Sequence, residues 1–154
     1  MANLKKIVLE TSALLNKYYD DRALSSLPNG YPAYFQFGDL DWGFDLIETI
    51  NGKPSCLPIP LDKTNIEQKF HTSKANYSYI GGNIIITASL PAGTLKEGEQ
   101  YQFSCVGIKN VQNNGLLGVA VTQPVWIYAD RGISIEIVIK TARSDQATTT
   151  VRNV

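Results

Sequence analysis

Histidine is nearly missing from this sequence: His71 is the only one in 154 residues. Cysteine is scarce too, with Cys56 and Cys105 far apart and no CxxC spacing. One histidine and two separated thiols make neither a zinc site nor a disulfide framework. The expectation is therefore two reduced, half-buried cysteines and a solvated loop histidine. Excess charge of either sign is absent, because 14 Lys and Arg balance 14 Asp and Glu. Binding to nucleic acid or to an anionic membrane surface needs a positive surplus, so the balance argues against both as partners. No apolar run approaches the ~20 residues of a membrane span. The cluster Leu4, Ile7, Val8 and Leu9 is also too short for a signal-peptide core. The chain is expected to be made and folded in a cytoplasm.

What the sequence does have is apolar content, at 44%, and aromatic rings, with eight Tyr and two Trp. A chain of this length can hold a core without covalent staples. Residues 4–9 read as a short strand or the lead into a helix. Thr11 and Ser12 are candidate N-caps, and Leu14, Leu15, Tyr18 and Tyr19 then fall on one helical face, which predicts a helix over residues 12–19. Leu24 and Leu27 extend the pattern until Pro28-Asn29-Gly30 stops it.

From Tyr31 onward the signals are β. Residues 34–37 form a short aromatic strand, residues 38–43 a tight loop, and residues 44–50 a strand closed by Asn51-Gly52. Pro54, Pro58 and Pro60 make residues 53–61 an extended edge or loop. Residues 62–76 read as a long polar surface loop anchored by Phe70. Alternation is clearer after that: residues 84–90, ended by Pro91-Ala92-Gly93, and residues 101–108 are strands. Asn113-Asn114-Gly115 marks a hairpin, since a tight primed turn needs positive φ. Residues 116–122 return, and Pro124 and Trp126 follow. After the Asp130-Arg131-Gly132 turn, Ile133, Ile135, Ile137 and Ile139 alternate with polar or smaller residues as a half-buried antiparallel strand. The fold class expected is mainly β, an antiparallel β-sandwich-like domain with one N-terminal helix. Residues 1–141 form that single domain and residues 142–154 a polar, Thr-rich tail able to add as a strand to a neighbouring sheet edge.

Several residues invite a chemical reading. Asp39 and Asp41 form a DxD pair that could hold calcium or serve a glycosidase, yet the pattern of an EF-hand loop is missing. The plainer expectation is a turn in which the Asp side chains accept backbone N–H groups. Gly81-Gly82 lies in no phosphate-loop pattern. Asn76-Tyr77-Ser78 matches a glycosylation sequon, read as a chance match in a chain without a secretory signal. Trp42, Trp126, Tyr31, Tyr34, Tyr77, Tyr79, Tyr101 and Tyr128 could line a sugar-binding face, a protein interface or the core of a β domain. No catalytic, cofactor-binding or metal-binding residue is assigned, and no enzyme activity is expected.

The order of elements resembles the N-terminal domain of bacteriophage tail-collar fibre proteins. The pieces that carry the resemblance are the early helix and Tyr34-Phe35-Gln36-Phe37-Gly38-Asp39, followed by the strands at 84–90 and 101–108. The hairpin Asn114-Gly115-Leu116-Leu117-Gly118-Val119-Ala120-Val121 and the closing strand after Asp130-Arg131-Gly132 complete it. The resemblance implies a structural component of a phage tail or related contractile particle. Such a component would be an adaptor or baseplate/fibre-attachment protein that docks onto other tail or baseplate proteins as a homo-oligomer. It would be made in the host cytoplasm and reside in the virion tail. The middle of the chain, residues 53–76, does not follow the pattern. The alternative is a carbohydrate-binding β-sandwich module, which requires Trp42 and Trp126 to be exposed on one face.

Overall fold

A computed structural model describes residues 5–9, 11–28 and 36–140. The expectations placed on residues 29–35, including Tyr31 and Tyr34, and on the tail 142–154 lie outside them. The described residues hold eleven strands and one helix: β1 (Lys5–Leu9), β2 (Thr11–Leu14), α1 (Asn16–Ser25), β3 (Phe37–Gly43), β4 (Ile47–Ile50), β5 (Lys53–Cys56), β6 (Lys69–Ser73), β7 (Asn76–Ile80), β8 (Asn83–Leu90), β9 (Gln100–Asn110), β10 (Leu116–Tyr128) and β11 (Ile133–Lys140).

Two sheets face each other as a sandwich. One has the order β1-β11-β8-β7 and the other β2-β10-β9-β3-β6, with β4-β5 as a separate hairpin. All pairings are antiparallel except β1 with β11, which run parallel. The isoleucine ladder of β11 explains the first sheet. Ile133, Ile135, Ile137 and Ile139 all point inward and are buried, each worth about 1.5–3 kcal/mol relative to exposure. They meet Ile86, Ala88 and Leu90 of β8, and Leu40, Trp42, Val106, Ile108 and Ala120 from the facing sheet.

The second sheet is covered on its outer face as well. There Cys105, Leu116, Val119 and Val121 pack with Leu15 and with Ile66 from the segment before β6. Gly43 and Gly107 form the floor under Ile66: a Cβ on Gly107 would lie 2.6 Å from both Ile66 Cγ1 and Leu116 Cδ1. These glycines serve close packing and not a special backbone conformation. Asp45 holds the covering segment in place. Its carboxylate accepts the backbone N–H of Glu67 at 2.7 Å and of Gln68 at 2.6 Å, and Lys63 Nζ at 2.9 Å.

Four sequence expectations change here. The helix starts later than 12–19, because Thr11 and Ser12 pair with Val121 and Ala120 as β2, and ladder hydrogen bonds displace the capping role. The N-cap is Leu15, which has no side-chain bond to give but is fully buried. Residues 38–43 are strand β3 and not a loop, since Leu40 and Trp42 alternate onto the core face despite the flanking glycines. The expected surface loop 62–76 contains β6, which pairs with β3. The expected strand 44–50 is only Ile47–Ile50. It turns at Asn51 and Gly52, with φ of 52° and 78°, into β5. The hairpin at Asn114 is present, with Asn114 at φ 57°. Its loop is wider than a two-residue turn, closed by Asn114 N–H to Asn110 O and Asn110 N–H to Gly115 O.

Candidate functional site

The acidic pair divides. On a strand, Asp39 and Asp41 share a face, but only Asp41 is buried. Its carboxylate accepts Thr72 Oγ1 at 2.7 Å and pairs with Lys109 Nζ at 3.3 Å and Lys69 Nζ at 3.9 Å. Asp39 is half-exposed beside Lys74 at 3.9 Å. The expected turn with backbone N–H donors is therefore replaced by a strand whose carboxylates face lysines. Neutralised in this way, the pair offers no two open carboxylates for calcium or for a sugar. No cluster of three or more His, Cys, Asp or Glu able to hold a metal occurs among the described residues.

His71 sits on β6 and not in a loop. It is half-buried with its ring 6.4 Å from the Trp42 ring, and burial lowers its pKa. Cys56 and Cys105 are free. Cys56 donates its S–H to the Thr122 carbonyl at 2.8 Å and borders the cluster that contains Cys105. Burial raises the pKa of both thiols, that of Cys105 to about 12, so neither is an activated nucleophile. Gly81-Gly82 is the β7–β8 turn, with φ of 61° and 85°.

The aromatic residues separate by depth. Trp42 is fully buried and donates Nε1–H to Ser73 Oγ at 2.8 Å. Trp126, on β10, is 50% exposed. The two indoles thus fail the condition set for a shared glycan face. Tyr101 is stacked on Phe70 at 4.5 Å, with Phe44 beside them.

Two of the exposed rings, Tyr77 and Tyr79, lie on β7. All five of its residues are exposed, and Tyr79 and Ile80 are 70% and 60% exposed. β7 pairs with β8 on one side and is the last strand of its sheet among the described residues. Register puts Tyr77 opposite Ile86 and Tyr79 opposite Ile84. Both tyrosines therefore lie on the inner face of the sheet, where it overhangs the start of β3. Tyr77 stacks on Phe37 at 6.0 Å and donates its hydroxyl to the Gly38 carbonyl. Burial, and then the charge of Asp39, pushes that hydroxyl up to about 12. An open, mainly apolar groove of about 520 Å³ runs along this overhang, lined by Gln36, Phe37, Tyr77, Ser78, Tyr79 and Ile84. The sequence marked Tyr77 and Tyr79 as aromatic but could not tell them from the buried rings, because the edge position of β7 is set by strand order.

Asp45 and Ile66 escaped the sequence reading. A single Asp after a Gly-Phe pair and a single Ile in a polar stretch carry no periodic signal, and both act through contacts distant in sequence. No curated protein and no solved structure matches the chain. A family model does, that of bacteriophage P1 tail fiber protein R, over residues 2–144. A mainly β sandwich with one helix fits that match, and the chain belongs to the bacteriophage P1 tail fiber protein R family.

Proposed function

We propose that the chain, a structural tail component by its family, works as an adaptor or fibre-attachment piece. It would dock onto other tail or baseplate proteins as a homo-oligomer and turn over no substrate. The observation that carries this reading is β7, the edge strand of its sheet among the described residues, with every position exposed and two tyrosines beside an apolar groove. Unpaired ladder groups on an edge strand supply affinity, and alternate side chains supply specificity. Tyr is favoured at such contacts because it buries a large area while losing little rotamer freedom. In this reading residues 1–141 act as one unit and residues 142–154 as a second contact element.

Within residues 1–141, β1 pairs with β11 and buries Ile7 and Leu9. Removing it would expose the core. The informative variant therefore lacks only residues 142–154. Complementing phage production with it should lower the yield of fibre-bearing particles, counted by electron microscopy. Particles assembled at the full yield would refute the role of that element, and a double variant that also carries Tyr79→Lys would then test the edge alone. Tryptophan fluorescence that responds to a glycan panel would favour the carbohydrate-binding alternative, with Trp126 as the reporter.

A further inference from the structure

We infer that β7 is the surface through which two copies of this chain join, strand to strand and antiparallel, about a two-fold axis through Ser78. The inference rests on the docking reading above and adds the partner and the register.

The first observation is what β7 lacks. Sheet edges in monomeric proteins are blunted by charge, proline, bulges or a covering element. Every other edge strand among the described residues has such a device. β1 carries Lys6, and β6 carries Lys69 and His71. β4 carries Glu48, and β5 carries Lys53 and Pro54. β2 lies against β11, where Ser12 Oγ donates to the Val138 carbonyl at 3.4 Å. β7, Asn-Tyr-Ser-Tyr-Ile, has no charge and no proline, pairs with β8 without a register shift, and is exposed throughout.

The second observation is symmetry. Tyr77-Ser78-Tyr79 reads the same in both directions about Ser78. An antiparallel self-pairing centred there sets Ser78 opposite Ser78 of the second copy and each Tyr77 opposite a Tyr79. The contact is isologous, as a two-fold interface must be, and no like charges meet across it. An axis normal to the sheet keeps both inner faces on one side. The two grooves then adjoin, and Tyr79 of each copy lies over the overhang where Tyr77 and Phe37 of the other are stacked. Zero net charge removes long-range repulsion between the copies. A partner of strongly basic or acidic character would find no complementary charge on this strand.

Ser78 is exposed and faces away from the core, so changes there leave packing intact. Circular dichroism and the urea midpoint check that each variant folds. Light scattering on the full chain, from micromolar to millimolar concentration, should show a monomer–dimer transition. Ser78→Lys, which brings two ammonium groups face to face on the axis, should move that transition to several-fold higher concentration. Ser78→Cys should form a covalent dimer on oxidation, because directly opposed residues in an antiparallel pair lie about 4.5–5.5 Å apart at Cα, within disulfide range. Ser89→Cys, exposed on the neighbouring strand, should not. A full chain that stays monomeric across the series overturns the self-pairing, as does a dimer unmoved by Ser78→Lys that fails to cross-link through Ser78→Cys. Either result leaves the docking reading to its own test, the yield of fibre-bearing particles.

Discussion

Gly107 has an ordinary backbone conformation and is fixed by its neighbours alone. Giving it a Cβ would press on Ile66 and Leu116, so Gly107→Ala should cost about 1–3 kcal/mol by overpacking, read from the urea midpoint. Ile66→Ala should cost about 2–5 kcal/mol by itself. The double variant should cost less than the sum, because the smaller side chain removes the clash. Cys105 offers a second test at this scale. With its thiol pushed up to about 12 by burial, it should react with a disulfide reagent at pH 8 only on unfolding, while half-buried Cys56 reacts first. Asp21 offers a third. Burial raises its pKa, and hydrogen bonds from Asn113, Asn110 and Lys17 outweigh that, leaving it below its ordinary 3.8. Its contribution is therefore present above pH 3.8 and is lost as pH falls through the lower folded-state value. The urea midpoint should drop over that acidic range, and Asp21→Asn should flatten the drop while lowering the midpoint at neutral pH. Of these residues the sequence marked the two cysteines and the Asn113 turn but not Gly107, Ile66 or Asp21, because crowding around a glycine and partners from distant turns leave no local pattern.

Among the elements, those with a strong local repeat were the legible ones. β8, β9 and β11 announce themselves by alternation, and the turns at Asn51-Gly52 and Asn114-Gly115 by residues that tolerate positive φ. β3 and β6 were hidden. Glycines at both ends of Gly-Asp-Leu-Asp-Trp-Gly suggested a loop, and only pairing with β9 and β6 makes it a strand. The helix was found, but its start was misplaced by four residues, since Thr11 and Ser12 are good caps and better ladder partners once β10 is present. The segment that covers the outer face depends on Asp45. Asp45→Ala leaves Lys63, itself only 11% exposed, without its partner, along with two backbone N–H groups. The cost expected is about 3–5 kcal/mol, measured by chemical denaturation. Hydrogen exchange should rise first at Glu67 and Gln68.

For the molecule as a whole, balanced charge, one histidine and scattered cysteines gave reasons against metal, nucleic-acid and thiol chemistry. The order of elements, and not composition, carried the resemblance to a phage-tail protein, and the chain belongs to the bacteriophage P1 tail fiber protein R family. The carbohydrate reading depended on two tryptophans whose exposure composition cannot give, and burial of Trp42 removed its main support. The proposed docking by an edge belongs to this scale, because an edge exists only relative to a completed sheet. The expected outcome is that substitutions on β7 change assembly with little effect on stability, whereas substitutions on β11 do the reverse. Ile137→Ala, at a fully buried position, should cost about 2–5 kcal/mol, and Tyr79→Lys within about 0.5 kcal/mol, both measured by urea denaturation.

The sequence by itself determined what is local or statistical: the mainly β class, the strands with strict alternation, the Asn-Gly turns, one early helix and the charge balance. Period-2 patterning and positive-φ turn residues act within a few positions of one another, so they can be read without knowing the fold. The tertiary structure alone decided which strands are edges, which aromatic rings are buried, that Asp41 and Asp39 face lysines, and that two glycines seat Ile66. Each of these depends on partners tens of residues away, brought together by sheet order, and sheet order is not written in any one stretch of the chain.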